Sequence, residues 1–515
     1  MKKFILLCTF CWGMLVPGAR ACTSFLAGRN ATIDGSTFIT YAADSHTLYG
    51  ALKFIPAARH PKNSTMEIRE WDTNKLLGHI PQVEYTYKVV GNMNEHQLSI
   101  TESTWGGRPE LVDTTGIIDY GSLMYIALQR AKTAREAITV MTDLVSEYGY
   151  YSSGESFSIA DPEEVWIMEM IGKGPQNQGA VWVAVRIPDD CIAAHANQSR
   201  IHKFPLDDKE NCLYSPDVIS FAREQGYFNG LNKDFSFADA YAPADFGALR
   251  GCEARVWSFY NRFNSSMGKY LSYLNGKSKE YLPLYIKPDK KLSVQDMKDA
   301  MRDHFEGTPF DMTQDVGAGP FKCPYRFRPM TFKVDSVEYT NERAVATQQT
   351  AFTLVAQMRS WLPNAIGGVL WFGVDDTNTC VYVPLYACLN EVPECYSELN
   401  GSMYDLSWTS AFWIHNWVAN MSYSRYDQMI EDIRPVQKDI ETTFYVQQPV
   451  IEKVANDLYR NDPVAAIRFL NAYSVAQAQQ TTVQWKKLGE FLLVKYLDGN
   501  RKKEKGGHFL ENGYG

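Results

Sequence analysis

Short segments rich in β-branched and aromatic residues recur between about residues 22 and 265 of the chain. Each segment is bounded by Gly, Pro, Asp or Asn, which is a pattern typical of strands. The predicted strands are 22–28, 36–43, 97–101, 156–161, 164–170 and 180–187. Polar connections at 161–164 and 172–179 predict hairpins between neighbouring strands.

A helical block interrupts these strands. A helix predicted at 122–131 is followed by Thr133, and Glu136 stands three residues further on. This spacing is the pattern of a capping box, and it predicts a second helix at 134–149. Paired strands with helices inserted between them favour two sheets that lie between layers of helices.

The second half of the chain adds more strands and then becomes helical. A helix capped by Ser293 is predicted at 294–307, and further strands are predicted at 365–376 and 379–387. From about residue 405, apolar residues recur at three- and four-residue spacing, which indicates helices. We therefore predict a main domain over residues 22–400 and a helical layer over 401–515 that packs on it.

The composition narrows the range of functions. The 515 residues are 45% hydrophobic and 21% charged, which is an ordinary globular composition. The formal net charge is -8, so the chain has no overall basic field that would attract nucleic acid. We expect no nucleic-acid partner.

The N-terminus has the pattern of a secretory signal peptide. Lys2 and Lys3 precede an apolar run at 4–16, and Ala-Arg-Ala at 19–21 fits a cleavage site. The apolar run is shorter than the roughly 20 residues that a membrane-spanning helix needs. No later segment is long and apolar enough to span a membrane. We expect removal of residues 1–21 and an exported protein, periplasmic or extracellular, that begins at Cys22.

Two of the ten cysteines, Cys8 and Cys11, lie in this predicted signal peptide. Export permits disulfides among the eight others, and Cys380, Cys388 and Cys395 are close enough in sequence for a local bridge. The sequence does not decide the pairing.

Several common catalytic and cofactor motifs are absent from the mature sequence, which has no HExxH, CxxC, Walker or GxSxG pattern. We therefore predict no metal and no organic cofactor. A cysteine–histidine pair of Cys22 with His46, His96 or His195 remains an alternative, because any cysteine in a chain with nine histidines offers such pairings.

Cleavage after Ala21 would give Cys22 both a thiol and a free α-amine. An α-amine has an ordinary pKa of about 7.7–8.0, so it can accept the thiol proton near neutral pH and later protonate a leaving amine. Two other readings compete: Cys22 is only the residue after a signal peptide, or it is the acylated residue of a lipoprotein. Ala19 and Arg20 are unusual in a lipoprotein signal, and acylation would consume the amine.

An ordered set of segments resembles the dipeptidase A family, cysteine peptidases of the N-terminal nucleophile (Ntn) hydrolase superfamily. The chain begins with Cys22-Thr23, continues to Asp-Gly-Ser at 34–36, and reaches Asp44 at the end of a strand. Further similar segments are 80–104, 160–201 and 252–263, with a weaker likeness at 370–387. The resemblance implies an α+β fold, a four-layer αββα sandwich, to which the C-terminal helices are added.

The resemblance also implies site residues. Cys22 matches the nucleophile, and Asp44 matches an acid that orients the nucleophile. Asn94 and Asn197 match positions near the oxyanion, where an amide donates hydrogen bonds without titrating. Arg255 matches a cation near the thiol, which would favour the thiolate.

The sequence departs from the family pattern at one position. Relatives, including bile-salt and penicillin V amidases, carry an arginine shortly before the acid that Asp44 matches, whereas this chain has Tyr41 at about that place. If that arginine polarises the thiol in relatives, this chain either uses another group, for which Arg255 is a candidate, or has weaker thiolate character.

These observations predict an exported cysteine dipeptidase that acts through a thioester on Cys22. An amidase acting on non-peptide amides is the alternative, and a non-enzymatic exported binding protein or lipoprotein is a more distant one. The expected partners are dipeptides. A homo-oligomer is compatible with the sequence, which does not fix the oligomeric state or the side chains that are cleaved.

Overall fold

The computed structural model describes residues 22–327 and 330–510. The predicted signal peptide, 1–21, lies outside the described residues. The described chain is a mixed α and β structure built on two large antiparallel sheets.

The strands are short except at the centres of the two large sheets. In chain order they are β1 (Ser24–Ala27), β2 (Thr37–Asp44), β3 (Phe54–Ile55), β4 (Ala58–Arg59), β5 (Thr65–Arg69), β6 (Leu76–Pro81), β7 (Tyr85–Thr86), β8 (Val89–Val90), β9 (Met93–Asn94), β10 (Ser99–Trp105), β11 (Gly154–Ala160), β12 (Val165–Gly172), β13 (Ala180–Arg186), β14 (Ile192–His195), β15 (Cys212–Tyr214), β16 (Tyr285–Ile286), β17 (Thr331–Val334), β18 (Val337–Thr340), β19 (Thr350–Met358), β20 (Val369–Val374), β21 (Val383–Tyr386), β22 (Glu504–Lys505) and β23 (His508–Phe509).

The α-helices are short in the middle of the chain and long near its C-terminus. They are α1 (Tyr120–Arg130), α2 (Ala134–Tyr148), α3 (Ser220–Glu224), α4 (Phe237–Tyr241), α5 (Phe246–Ala248), α6 (Ala254–Phe263), α7 (Leu271–Leu274), α8 (Val294–Met301), α9 (Asn364–Gly367), α10 (Ala411–Tyr423), α11 (Tyr426–Tyr459) and α12 (Pro463–Lys495).

The first large sheet has the order β16-β14-β1-β2-β19-β20-β21. Its first two strands in sequence, β1 and β2, therefore lie at its centre. Ser24 of β1 is opposite His195 of β14, and an isolated bridge joins Thr23 to Ala42 on the other side. The start of β1 is thus held between two neighbouring strands, next to the end of β2.

The second large sheet has the order β15-β13-β12-β11-β10-β9-β8-β3. It packs against the first sheet where β1 and β2 meet β10 and β11. One hydrogen bond across this interface joins Oγ1 of Thr101 to the carbonyl oxygen of Thr40, at 3.2 Å. Helices α1 and α2 pack on the second sheet, and α6 and α8 pack on the first.

The long C-terminal helices pack on the edge of the first sheet, where α11 and α12 contact β21. Two buried ion pairs fasten α11 to the rest of the chain: Arg359 with Glu452 and Arg302 with Glu441, at 2.7 and 2.6 Å. In the described part of the chain, no helix is long and apolar enough to cross a membrane.

Most of the predicted elements in the first half are confirmed, with shifts of one to four residues at their ends. The helix predicted at 294–307 stops at Met301, because Phe305 has a φ of 66°, which a continuing helix does not allow. The strand predicted at 365–376 begins with the short helix α9. The eight cysteines of the described residues, Cys380, Cys388 and Cys395 among them, are free thiols.

Candidate active site

Cys22 lies directly before β1 and is buried, with 4% of its surface exposed. Its sulfur is 3.4 Å from Oε1 of Glu102 and 3.7 Å from the hydroxyl of Tyr41. The Tyr41 hydroxyl also donates a hydrogen bond to the same carboxylate oxygen. The thiol therefore belongs to a buried group of three side chains, which come from the segment just before β1, from β2 and from β10.

The surroundings of Cys22 keep the thiol protonated. Burial raises its pKa well above the ordinary value, and the negative charges of Glu102 and Asp44 raise it further. The backbone N–H of Asp44 and the hydroxyl of Tyr41 lower the pKa through hydrogen bonds, but these are smaller effects. A reaction at this thiol needs a group that accepts its proton or a change of charge beside it.

Asp44 ends β2 and is buried. Its backbone contacts the Cys22 thiol, whereas its carboxylate forms an ion pair with Arg343 and accepts a 2.6 Å hydrogen bond from Oγ1 of Thr350. Burial raises the pKa of Asp44, and the Arg343 cation opposes this effect. The structure thus places Asp44 beside Cys22, with its carboxylate bound to Arg343 and Thr350.

Arg255 of α6 is buried and holds the main chain at Cys22. Its Nη1 donates to the carbonyl oxygen of Cys22 at 2.7 Å and to Oγ1 of Thr23 at 2.8 Å. Burial, followed by the repulsion of Arg343, lowers the pKa of Arg255 to about 10, so it is still a cation at neutral pH. These bonds fix where the Cys22 backbone lies.

Asn197 connects Arg255 to the second sheet. Its Oδ1 accepts a 2.9 Å hydrogen bond from Arg255, and its Nδ2 donates to the carbonyl oxygen of Thr104 at 2.6 Å. Its φ of 58° lies in the left-handed region, which costs energy for a residue other than glycine and is common at functional sites. Thr104 is two residues from Glu102, so Asn197 ties both sides of the site together.

The side-chain amide of Asn94 binds backbone groups at the end of α1 and in the turn that follows β9. Its Nδ2 donates to the carbonyl oxygens of Leu128 and Ala131, both at 2.8 Å, and its Oδ1 accepts from the backbone N–H groups of His96 and Leu98. Both amide hydrogens are therefore used to hold the C-terminal end of α1. This geometry does not support the predicted role of Asn94 as a donor to an oxyanion.

The histidines considered as partners of Cys22 have other surroundings. His195 is fully buried between the hydroxyls of Ser103 and Ser158, at 2.6 and 2.7 Å, and burial lowers its pKa to about 3. His96 packs edge-on against the ring of Tyr87, and His46 is exposed. Among the described residues, no group of three or more His, Cys, Asp or Glu side chains is arranged to hold a metal ion.

A cavity of about 280 Å³ is linked to this group of side chains through Phe352, which lines the cavity and contacts Tyr41. Its wall includes the rings of Trp71, Tyr125, Phe352 and Phe372. Phe352 packs edge-on against Tyr41, with 5.6 Å between ring centroids, so a single ring separates the cavity from a neighbour of the thiol. The charge of Glu102 also acts on Tyr125, whose pKa is raised mainly by burial.

The sequence pattern of Peptidase family C69 matches residues 21–439. The chain belongs to this family of cysteine peptidases. A "Probable dipeptidase" of Latilactobacillus sakei is 27% identical over 425 residues, which cover 79% of this chain and 82% of the relative. A "Probable dipeptidase" of Salmonella dublin is 27% identical over 408 residues, covering 75% and 85%. A "Probable dipeptidase B" of Streptococcus pyogenes serotype M1 is 23% identical over 512 residues, covering 94% of each chain.

Two site residues of this C69 peptidase were missed by the sequence analysis. Glu102 lies one residue beyond the end of a predicted strand, and a carboxylate in an otherwise uncharged strand segment is a signal that could have identified it. Arg343 is 299 residues from Asp44 and lies in a segment without regular structure, so no local pattern points to it.

Proposed function

We propose that the chain is an exported cysteine dipeptidase in which Cys22 becomes the N-terminal residue and acts as nucleophile. One observation carries this proposal: the Cys22 thiol is buried in a group with Glu102 and Tyr41, while Arg255 holds the Cys22 carbonyl. Membership of Peptidase family C69 and the dipeptidase names of the relatives agree with it.

The arrangement of layers supports an Ntn-hydrolase αββα sandwich. Two antiparallel sheets pack together, and each carries helices on it. The proposed nucleophile stands at the start of a central strand, in contact with both sheets. Cleavage after Ala21 would place its α-amine at this point and would accompany export.

The reaction proceeds through a thioester. The α-amine of Cys22 accepts the thiol proton, and the sulfur forms a bond to the carbonyl carbon of the peptide. The C–N bond then breaks as the protonated α-amine gives its proton to the leaving amino acid. Water attacks the thioester, which releases the first amino acid with its carboxyl group and restores the thiol. Asn197 is the predicted oxyanion donor that the structure joins to Cys22, through Arg255.

The second candidate function is an amidase acting on other amides, and the aromatic cavity is compatible with it. A cavity walled by four aromatic rings suits an apolar acyl group as well as an amino acid side chain. The two candidate functions share the nucleophile. They differ in the substrate, because a dipeptide has a free amine on its first residue and the other amides do not.

The decisive test is hydrolysis of a dipeptide library by the purified protein after its N-terminus has been determined. Cys22→Ala should abolish turnover, and Cys212→Ala, which removes a buried thiol of the second sheet, should retain it. A chain with one additional residue before Cys22 should lose activity by about 10²-fold or more, because its amine is an amide. Full activity of Cys22→Ala, or a blocked Cys22 amine in the active protein, would refute the proposal.

A further inference from the structure

Glu102 carries a buried oxygen without a partner. Its Oε1 receives the hydroxyl of Tyr41 and lies 3.4 Å from the Cys22 sulfur, but its Oε2 has no hydrogen-bond partner among residues 22–327 and 330–510. The residue is 2% exposed. A buried carboxylate oxygen without a donor is costly, so it indicates a missing donor group.

A second buried acceptor lines the neighbouring cavity. Nδ2 of Asn92 donates to the carbonyl oxygen of Ile100 at 2.9 Å, which fixes the orientation of the amide, and Oδ1 has no partner within the described chain. Asn92 is 1% exposed. Two unsatisfied acceptors in this part of the fold, one of them a carboxylate, match a ligand that brings N–H donors and a positive charge.

The distances at the thiol suit the amine of a peptide's first residue. In a peptide the α-nitrogen is about 2.5 Å from the carbonyl carbon of the same residue. An attacking atom lies about 3–3.5 Å from that carbon before reaction. Oε1 of Glu102 is 3.4 Å from the Cys22 sulfur, and the unpartnered Oε2 belongs to the same carboxylate. When the substrate carbonyl stands at the thiol, the amine is therefore within hydrogen-bond reach of this carboxylate.

We propose that Glu102 binds the α-ammonium group of the substrate's first residue, and that the cavity walled by Trp71, Tyr125, Phe352 and Phe372 takes that residue's apolar side chain. This inference rests on the proposed function and adds the substrate class: peptides with a free amine and a large apolar first residue. Tyr41 supports the assignment. Its neutral phenol donates a hydrogen bond to one oxygen of Glu102 but does not compensate the negative charge of the carboxylate.

Binding in this way would also activate the nucleophile. Besides burial, the charge of Glu102 raises the pKa of the Cys22 thiol. An ammonium group at Glu102 cancels that charge and lowers the thiol pKa. The enzyme would then be most reactive when a substrate with a free amine is in place, and an acylated amine would lack this effect.

This inference is tested by a binding measurement, which does not depend on turnover. Phe-Ala, N-acetyl-Phe-Ala and Gly-Ala are titrated calorimetrically into Cys22→Ala protein. Phe-Ala should bind about 10- to 100-fold more tightly than its N-acetyl form, because a charge-assisted hydrogen bond is lost on acetylation. It should also bind more tightly than Gly-Ala, which leaves the cavity empty.

Matched carboxylate variants in the same background identify the group that binds the amine. Glu102→Gln should remove the preference for the free amine, whereas Glu398→Gln should keep it, because Glu398 pairs with Lys53 at the cavity. If Cys22→Ala protein, with Glu102 unmutated, binds Phe-Ala and N-acetyl-Phe-Ala equally tightly, the inference is overturned. An unchanged preference in folded Glu102→Gln also overturns it.

The outcomes separate the two proposals. Preferential binding of Phe-Ala by a protein whose unmutated form hydrolyses no dipeptide would support this binding site and refute the dipeptidase. Cys22-dependent hydrolysis that is equally fast on N-acetylated dipeptides would support the nucleophile and refute the ammonium site.

Discussion

Nη1 of Arg255 lies 2.7 Å from the carbonyl oxygen of Cys22, and through this bond a residue of α6 sets the position of the Cys22 backbone. The same guanidinium bonds Thr23, Ala196, Asn197 and Gly251. A planar group with five donors can hold all these oxygens at once, and an ammonium group cannot.

Arg255→Lys should therefore lower kcat by about 10²-fold while the protein stays folded, because a small displacement of a reacting group has an effect of this size. The measurement is kcat and KM on a good dipeptide, together with thermal unfolding. Wild-type kcat in Arg255→Lys would show that the positive charge, and not the fork of hydrogen bonds, is what Cys22 requires.

The ion pair of Arg343 with Asp44 should be important for stability. Asp44 is 1% exposed, so Arg343→Ala leaves a buried carboxylate without its cation, which costs about 3–5 kcal/mol in free energy of unfolding. Arg343→Lys should cost much less. In Arg343→Ala, the further change Asp44→Asn should recover part of the loss, and chemical denaturation of these variants and of Asp44→Asn alone measures it. Strictly additive effects of the two changes would contradict this coupling.

Asn94 and Asn197 should behave in opposite ways when they are mutated. Asn94→Ala removes the partner of two buried carbonyl groups, so it should lower the free energy of unfolding by about 1–3 kcal/mol, with little change in kcat of the folded enzyme. Asn197→Gly keeps the left-handed backbone but loses the links to Arg255 and Thr104, so it should lower kcat by about 10²-fold. A large loss of kcat in Asn94→Ala and an unchanged kcat in Asn197→Gly would instead assign the oxyanion role to Asn94.

The reactivity of the thiol should depend on Glu102. The pKa of Cys22 is raised by burial and by the negative charges of Glu102 and Asp44, so alkylation should rise with pH and reach half its maximum above the ordinary cysteine value of about 8.5. Glu102→Gln removes one of these charges and should shift the midpoint to lower pH. The rate of labelling by iodoacetamide, followed by mass spectrometry of the Cys22 peptide, gives this profile. A midpoint that moves upward would contradict the electrostatic account.

The sequence was most informative where patterns are local. The strands near 156–161, 164–170 and 180–187 and the helix that starts after Thr133 were all predicted, because alternation and capping depend on nearby residues. β19, at 350–358, was missed although it pairs with the whole length of β2. Its buried residues include Thr350, Thr353 and Gln357, which weaken the apolar signal of a strand.

The site shows the same division. Cys22 and Asp44 stand at the ends of predicted strands, and a resemblance to a known family pointed to Asn197 and Arg255. Glu102 and Arg343 contribute through contacts across 80 and 299 residues, which only the folded chain displays. The contacts of Asn94 with Leu128 and Ala131 were not predicted, because a turn asparagine and an oxyanion donor look alike in sequence.

The order of strands in the first sheet has a consequence for synthesis of the protein. β1 and β2 leave the ribosome early, but their outer neighbours, β14 and β19, are encoded about 170 and 310 residues later. β1 and β2 can pair with each other early, but their hydrogen bonds to β14 and β19 form only after those later strands have been translated, and such non-local pairing is slow. A nascent or truncated chain that ends before residue 350 lacks β19, the second neighbour of β2, so hydrolytic activity should arise only after β19 has been made.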